Sequence, residues 1–283
     1  MYCSFAILTR PVLATNNRGE SQGNMTTLQT MTAGGLKHSV LRGASLKYAI
    51  RDNMQEMGAT MWRKTHADLM GGGPTYGAED AVRMNDVVVT PEDLWTFDDL
   101  PLFGFMIAGK GSSTSASKSR HLVSLSDALS VVPYRTGEEG LGLGVKPDGD
   151  LALYNYQQHY TRYYITGRIN LHPELLANRP GALNYFIEAL LAGLEVGGNH
   201  ACHFASVQPE MVMWYFHQMK GASSLFIPAE ETRRWDEKDE PLTFPIQRYL
   251  KPRVNGDLIS YEIEGGSISD CTDQFKAAVK AHS

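Results

Sequence analysis

The sequence predicts an α+β fold, one sheet carrying two principal helices, and three observations predict it. The apolar pattern has strand character first, takes on a helical period near residues 45–57 and again near residues 180–194, and returns to strand character after each. Glycine and polar turn signals bound these segments. No internal repeat runs along the chain, so a solenoid is not expected.

Phe5 to Leu13 reads as a first strand that ends near Pro11. A polar loop follows, Asn16-Asn17-Arg18-Gly19-Glu20-Ser21-Gln22-Gly23-Asn24, and Gly34-Gly35 breaks the next stretch. Ser45 to Met57 reads as a helix, because Leu46, Ile50, Met54 and Met57 recur on one face; Ser45 is its expected cap and Gly58 its stop. Residues from Thr60 to about Leu100 look inserted, with a Gly71-Gly72-Gly73-Pro74 breaker. Leu102 to Ala108 and Leu122 to Val132 are apolar runs flanking a basic, Ser-rich loop that holds Lys110, Lys118 and Arg120.

Pro147-Asp148-Gly149 marks a turn, so Leu141 to Tyr156 reads as a protruding hairpin. In Tyr163 to Leu171 apolar and polar residues alternate, as in a half-buried strand. Pro180 opens a second helix with Leu183, Phe186, Ile187, Leu190, Leu191 and Leu194 on its apolar face, and Gly197-Gly198-Asn199 is expected to end it. Short strands near Ala201 to Val207 and Met211 to Phe216 and a last helix at Asp273 to His282 complete the order. That order is compatible with a ferredoxin-like or RRM-like core carrying insertions.

Apolar residues are 42% of the chain and charged residues 20%, an ordinary globular composition. No apolar run approaches the roughly 18 residues of a membrane span. Met1 to Leu8 has no basic flank and reads as no signal peptide. Cys3, Cys202 and Cys271 are too widely spaced for a disulfide framework and fit a reducing cytoplasm. The net charge is −5, yet residues 1–51 hold six basic residues and one acid, so the remainder carries −10. A basic face on an acidic protein suits phosphate on one side and protein on another, although such blocks are also found simply solvated.

The start of the first helix carries the most chemistry. A helix start favours Asp or Glu, but Lys47 occupies the first turn, Arg42 precedes it, and no acid appears before Asp52. Either this is a poorly optimised surface helix, or an anion docks there. In the second reading Gly43 admits a close backbone approach, Ser45, Arg42 and Lys47 hold a phosphate, and Arg51, one turn along, takes the next.

Residues 42–51, Arg-Gly-Ala-Ser-Leu-Lys-Tyr-Ala-Ile-Arg, resemble the signature helix of the RAMP superfamily of CRISPR proteins. The loop from Asn17 to Asn24 resembles that of DevR-like Cascade backbone subunits. So do Leu102 to Ala108, Ser124 to Pro133 and Gly197-Gly198-Asn199, in the family's order. Arg42 and Ala44 depart from the common signature residues.

The resemblance implies a hand-shaped protein: an RRM-like (ferredoxin-like) palm, a fingers or web insertion at about residues 60–100, and a thumb hairpin at about residues 134–160. It implies a subunit of a type I Cascade complex that polymerises head-to-tail along the CRISPR guide RNA and holds it for pairing with target DNA. Its partners would be the guide RNA, the target DNA through the guide, further copies of itself and other Cascade subunits, with no membrane. The expected RNA contacts are Arg18, Asn24, Lys37, His38, Arg42, Ser45, Lys47, Arg51, Lys118, Arg120, Gly197, Gly198 and Asn199. Leu151, Leu153, Tyr154 and Tyr156 are the expected thumb wedge, unless they pack on their own sheet.

No cofactor and no metal are expected: His200, Cys202 and His203 fit no common zinc spacing, and the glycines at 71–73 are not followed by a phosphate-binding Lys. The chain is not expected to be an enzyme. The alternative is a type III-like backbone ribonuclease that cuts target RNA with an Asp before the signature helix. Between Pro11 and Arg51 there is no Asp, and Glu20 is the only acid. His38 is the single acid–base candidate beside the basic cluster.

Overall fold

The computed structural model describes residues 1–14, 21–22, 25–33, 35–62, 95–107, 117–119, 121–135, 139–145, 151–196, 205–218, 256–262 and 268–282. In chain order the elements are β1 (Tyr2–Thr9), β2 (Val12–Ala14), β3 (Ser21–Gln22), β4 (Met25–Thr26), β5 (Thr30–Ala33), β6 (Leu36–Leu41), α1 (Gly43–Glu56), α2 (Asp99–Phe103), β7 (Phe105–Ile107) and β8 (Ser117–Ser119). They continue with β9 (Val123–Leu125), β10 (Ala128–Ser130), β11 (Glu139–Val145), β12 (Leu151–Gln157), β13 (His159–Thr161), β14 (Tyr163–Asn170), α3 (Pro173–Asn178) and α4 (Pro180–Leu191). The last are β15 (Leu194–Val196), β16 (Ala205–Val207), β17 (Pro209–His217), β18 (Gly256–Glu262) and α5 (Ile268–His282).

The main sheet runs β18-β17-β1-β14-β10-β6-β5, with β9 also beside β14, and its pairings are antiparallel. β1 is buried on both faces from Cys3 to Thr9, which is why it reads as an almost continuous apolar run. Phe5 meets Phe186 of α4 edge-on at 6.3 Å and Trp214 of β17 at 5.7 Å; Trp214 meets Phe275 of α5 at 4.7 Å. Leu46, Ile50 and Met54 turn the apolar stripe of α1 into the same core. Opposite Phe5 in register stands Gly167, where a Cβ would lie 2.3 Å from the Phe5 ring. The absent side chain is thus the space the ring fills.

Several expected boundaries move. The first strand starts at Tyr2 and stops at Thr9, because Arg10 N–H turns to Gln208 O at 2.8 Å and Pro11 has no N–H to continue the ladder. The chain then switches into a separate ribbon of β2 with β13. Residues 30–41 form a hairpin, β5 with β6, around the left-handed Gly35 at φ 80. Helix α4 ends at Leu191, before Gly193 at φ 100, not at Gly197-Gly198-Asn199, which lie outside the described residues.

The expected hairpin is present: β11 pairs antiparallel with β12, and β4 runs parallel to β12, giving a four-stranded sheet β11-β12-β4-β3. Its root is fixed to the main sheet inside the protein. Ser39 of β6, fully buried, sets its hydroxyl 2.8 Å from His159 Nδ1 and 2.7 Å from the Tyr163 hydroxyl.

Residues 60–62 and 95–99 lie side by side. Asp98 N–H donates to Thr60 O, Thr60 N–H returns to Asp98 Oδ2, and Trp62 N–H donates to Asp99 Oδ1, all within 2.8–2.9 Å. The described residues on either side of positions 63–94 are therefore tied together. No helix among the described residues is long and apolar enough to cross a membrane.

Candidate nucleic-acid interface

The sequence leaves the start of α1 without an acid, and none lies in its first turn. The structure supplies one from another part of the chain. Asp127, in the connection from β9 to β10, accepts the Gly43 N–H through Oδ1 at 2.8 Å and the Arg42 guanidinium through Oδ2 at 2.7 Å. Arg42 Nε also donates to Gln29 Oε1 at 2.9 Å. A Cβ at Gly43 would sit 3.1 Å from the carbonyl oxygens of Leu125 and Ser126, so any side chain there would press on that connection. The close approach the sequence suggested is to the protein's own backbone. Burial acts to raise the Asp127 carboxyl, but the bonds from Gly43 and Arg42 and the Arg42 charge hold it below the usual range.

This revises the reading of the helix start. Ser45 makes no capping bond, since α1 begins two residues earlier with Arg42 in the cap position. Arg51 does not face solvent beside Lys47: its side chain is 15% exposed, its Nε is 3.7 Å from the buried Asp99 carboxylate, and its guanidinium lies 4.5 Å from the Phe103 ring centroid. His38 is 3% exposed with Nδ1 2.8 Å from Ser130 O, so as placed it is neither a phosphate contact nor a surface acid–base group.

Lys37 is exposed, but four strand residues, about 13 Å, separate it from the end of β6. Lys47 is half-buried. Burial lowers its pKa first and the Arg51 charge lowers it further. Arg18, Asn24, Arg120, Gly197, Gly198 and Asn199 lie outside the described residues, and Lys118 is placed only as the middle of β8.

The four wedge positions split. Leu151 and Leu153 stand opposite Val145 and Leu143, whereas Tyr154 and Tyr156 stand opposite Gly142 and Gly140.

Sequence reasoning missed Asp127, Asp99, His121 and Arg168. Arg168, in β14, pairs in register with Ser124 of β9, and its guanidinium lies 5.6 Å from the Tyr2 ring centroid. His121 is exposed just ahead of β9; burial lowers its pKa first, then the charges of Lys47 and Arg168. Among the described residues no group of three His, Cys, Asp or Glu is placed to hold a metal ion.

A curated relative from Myxococcus xanthus (strain DK1622), "CRISPR-associated protein Cas7/Cst2/DevR", is 26% identical over 234 residues, 76% of this chain and 72% of that protein. The chain is thus similar in sequence to a Cas7/Cst2/DevR protein over three quarters of its length. No family model matches it. A chain of the solved "CRISPR RNA-guided surveillance complex, pre-nicking" superposes with TM-score 0.59 at 14% identity, covering 99% of this chain and all of that one. A chain of another "CRISPR RNA-guided surveillance complex" gives TM-score 0.56 at 13% identity, with both chains covered in full. The chain thus shares its mixed α/β fold with those chains.

Proposed function

We propose that this DevR-like chain is a CRISPR RNA-binding backbone subunit, copies of which stack head-to-tail along the guide RNA of a type I surveillance complex. The observation that carries the reading is the sequence match to a Cas7/Cst2/DevR protein, on a chain whose fold follows surveillance-complex chains end to end. The strand order β17-β1-β14-β9, with α1 and α4 among the elements connecting it, supports an RRM-like palm. The bonds from Thr60 and Trp62 to Asp98 and Asp99 support a fingers insertion between them, and the β11–β12 hairpin supports a thumb.

In this reading Lys37 and Lys47 contact guide phosphates, while Arg18, Asn24, Lys118, Arg120 and the glycine loop at 197–199 supply further contacts. Arg42, exposed at the helix start and held by Asp127, lies beside them, and Arg51 supports the surface from beneath. The thumb presents either its leucine or its tyrosine face to the bases, and the chain holds RNA without cutting it. Base pairing then reads the target, so backbone contacts suffice for the protein.

Co-expression with a CRISPR array tests this. The purified chain should carry RNA of defined length, protected from nuclease in regular steps, with particle length growing with spacer length. A monomer free of RNA, with no salt-sensitive binding to added guide, would overturn it.

A further inference from the structure

The hairpin β11–β12 and the ribbon β2–β13 belong to sheets separate from the main one, and a buried hydrogen-bonded chain joins their common root to it. A single residue, Gln158, stands between the end of β12 and His159, the first residue of β13. His159 is 3% exposed, and its Nδ1 lies 2.8 Å from the Ser39 hydroxyl of β6. The same hydroxyl lies 2.7 Å from the Tyr163 hydroxyl of β14. Ser39 is itself held, since its N–H donates to Ser130 Oγ at 3.1 Å and Ser130 Oγ donates to Val132 O at 2.7 Å. The Tyr134 ring meets the His159 ring edge-on at 5.3 Å. At the end of β12, Gln157 Oε1 accepts the Leu28 N–H at 3.1 Å.

A hydroxyl has one proton to give. With His159 neutral and its Nδ1 an acceptor, Tyr163 donates to Ser39 and Ser39 donates to His159. A second proton on the imidazole turns Nδ1 into a donor. Ser39 must then accept from His159, Tyr163 loses Ser39 as its acceptor, and a charge sits on a ring shut away from water. The ionisable side chains on the segments around this ring are Lys37 and His38 of β6, Tyr134 and Arg135 after β10, and Tyr160, Arg162 and Tyr163 along its own stretch of chain; Ala14, opposite it in register on β2, adds none. His38 turns its Nδ1 to Ser130 O at 2.8 Å, and Arg162 is forked onto Glu210 at 2.7 and 3.1 Å. We propose that His159 is a pH-sensitive positioning residue. Neutral, it fixes the root of the β11–β12 hairpin to the main sheet, so that each hairpin meets the neighbouring copy at a set angle; protonated, it frees the root and the copies part. This rests on the head-to-tail stacking proposed above and adds its regulation by acid.

The test sizes particles of the chain on guide RNA, purified after co-expression with a CRISPR array, by sedimentation velocity at constant ionic strength. The pH runs from about 8 to about 5, the span in which imidazole takes up its proton. Wild-type particles should hold many copies at the upper end and fall to single copies at the lower. H159N keeps an amide oxygen where Nδ1 stands but takes up no proton, so its particles should keep their length throughout. H38N, which keeps a donor for Ser130 O, should follow wild type, and S39A should give short particles even at the upper end. A wild-type length that does not change with pH, or H159N particles that shorten as wild type does, would overturn the switch while leaving the stacking function standing. Acid-resistant H38N particles would overturn the assignment to His159, and full-length S39A particles the link through Ser39. A wild-type chain that forms no multi-copy particle on RNA at the upper end would overturn the stacking function itself.

Discussion

Asp127 closes the first turn of α1 by accepting the Gly43 N–H at 2.8 Å, although 84 residues separate them. The same carboxylate takes the Arg42 guanidinium at 2.7 Å, so one acid satisfies an orphan helix donor and neutralises the basic residue ahead of it. Asp127→Ala should lower stability by about 1 kcal/mol, the range of a lost helix cap, with the partly exposed ion pair adding little. Urea denaturation measures it. An unchanged midpoint would mean that the bond is not formed in solution.

The same residue sets a pH dependence. The folded-state pKa of Asp127 is lowered, because the donors and the Arg42 charge outweigh burial. Its contribution is therefore complete above the unfolded-chain value, near 3.8, and fades as pH falls through the lower folded value. Wild type and Asp127→Asn should differ in stability at pH 7 and converge as the pH is lowered below 4. A gap that widens on acidification would contradict the sign.

Gly167→Ala tests the packing of the central sheet. The added methyl would meet the Phe5 ring at 2.3 Å and the Ser124 carbonyl at 2.7 Å. Neither can retreat freely, since Phe5 is wedged between Phe186 and Trp214 and Ser124 belongs to β9. A loss of about 1–3 kcal/mol is expected, and the double change with Phe5→Leu should recover part of it. Full additivity of the two changes would show that the ring does not occupy the glycine's space.

The periodic elements were legible in the sequence and their tertiary partners were not. Helices α1 and α4 and strand β14 carry patterns dictated by one buried face, so they fall close to where they were expected. The β5–β6 hairpin has no such pattern, and in the sequence Gly34-Gly35 marks only a break. At the helix start the sequence did show a basic first turn lacking an acid. It could not show that Asp127 would arrive from another strand connection. Helical spacing from Lys47 and the signature resemblance both point Arg51 to the RNA, and only the fold reveals Asp99 and Phe103 beside it.

That pair makes a distinct expectation for Arg51→Met. The change keeps the stem that packs near Phe103 but leaves the Asp99 carboxylate, whose side chain is 1% exposed, without its cation. Breaking a buried pair from one side should cost about 3 kcal/mol. The salt slope of RNA binding should stay at the wild-type value, because the guanidinium faces inward. A stable variant with a shallower slope would return Arg51 to the RNA-contacting set.

The register of the hairpin decides how its wedge is tested. Tyr154 and Tyr156 stand opposite Gly142 and Gly140 in register. Leu151 and Leu153 stand opposite Val145 and Leu143, an apolar set suited to protein contact. If bases meet the tyrosine face, Tyr154→Ala with Tyr156→Ala should lower guide RNA affinity by at least tenfold, since stacking contributes about 1–3 kcal/mol per base. Leu151→Ala with Leu153→Ala should instead shorten the RNA-dependent oligomers while leaving single-copy binding intact. The reverse pattern would place the leucine face against the bases. Loss of neither property would remove the hairpin from both roles, leaving guide binding to the surface around Lys47.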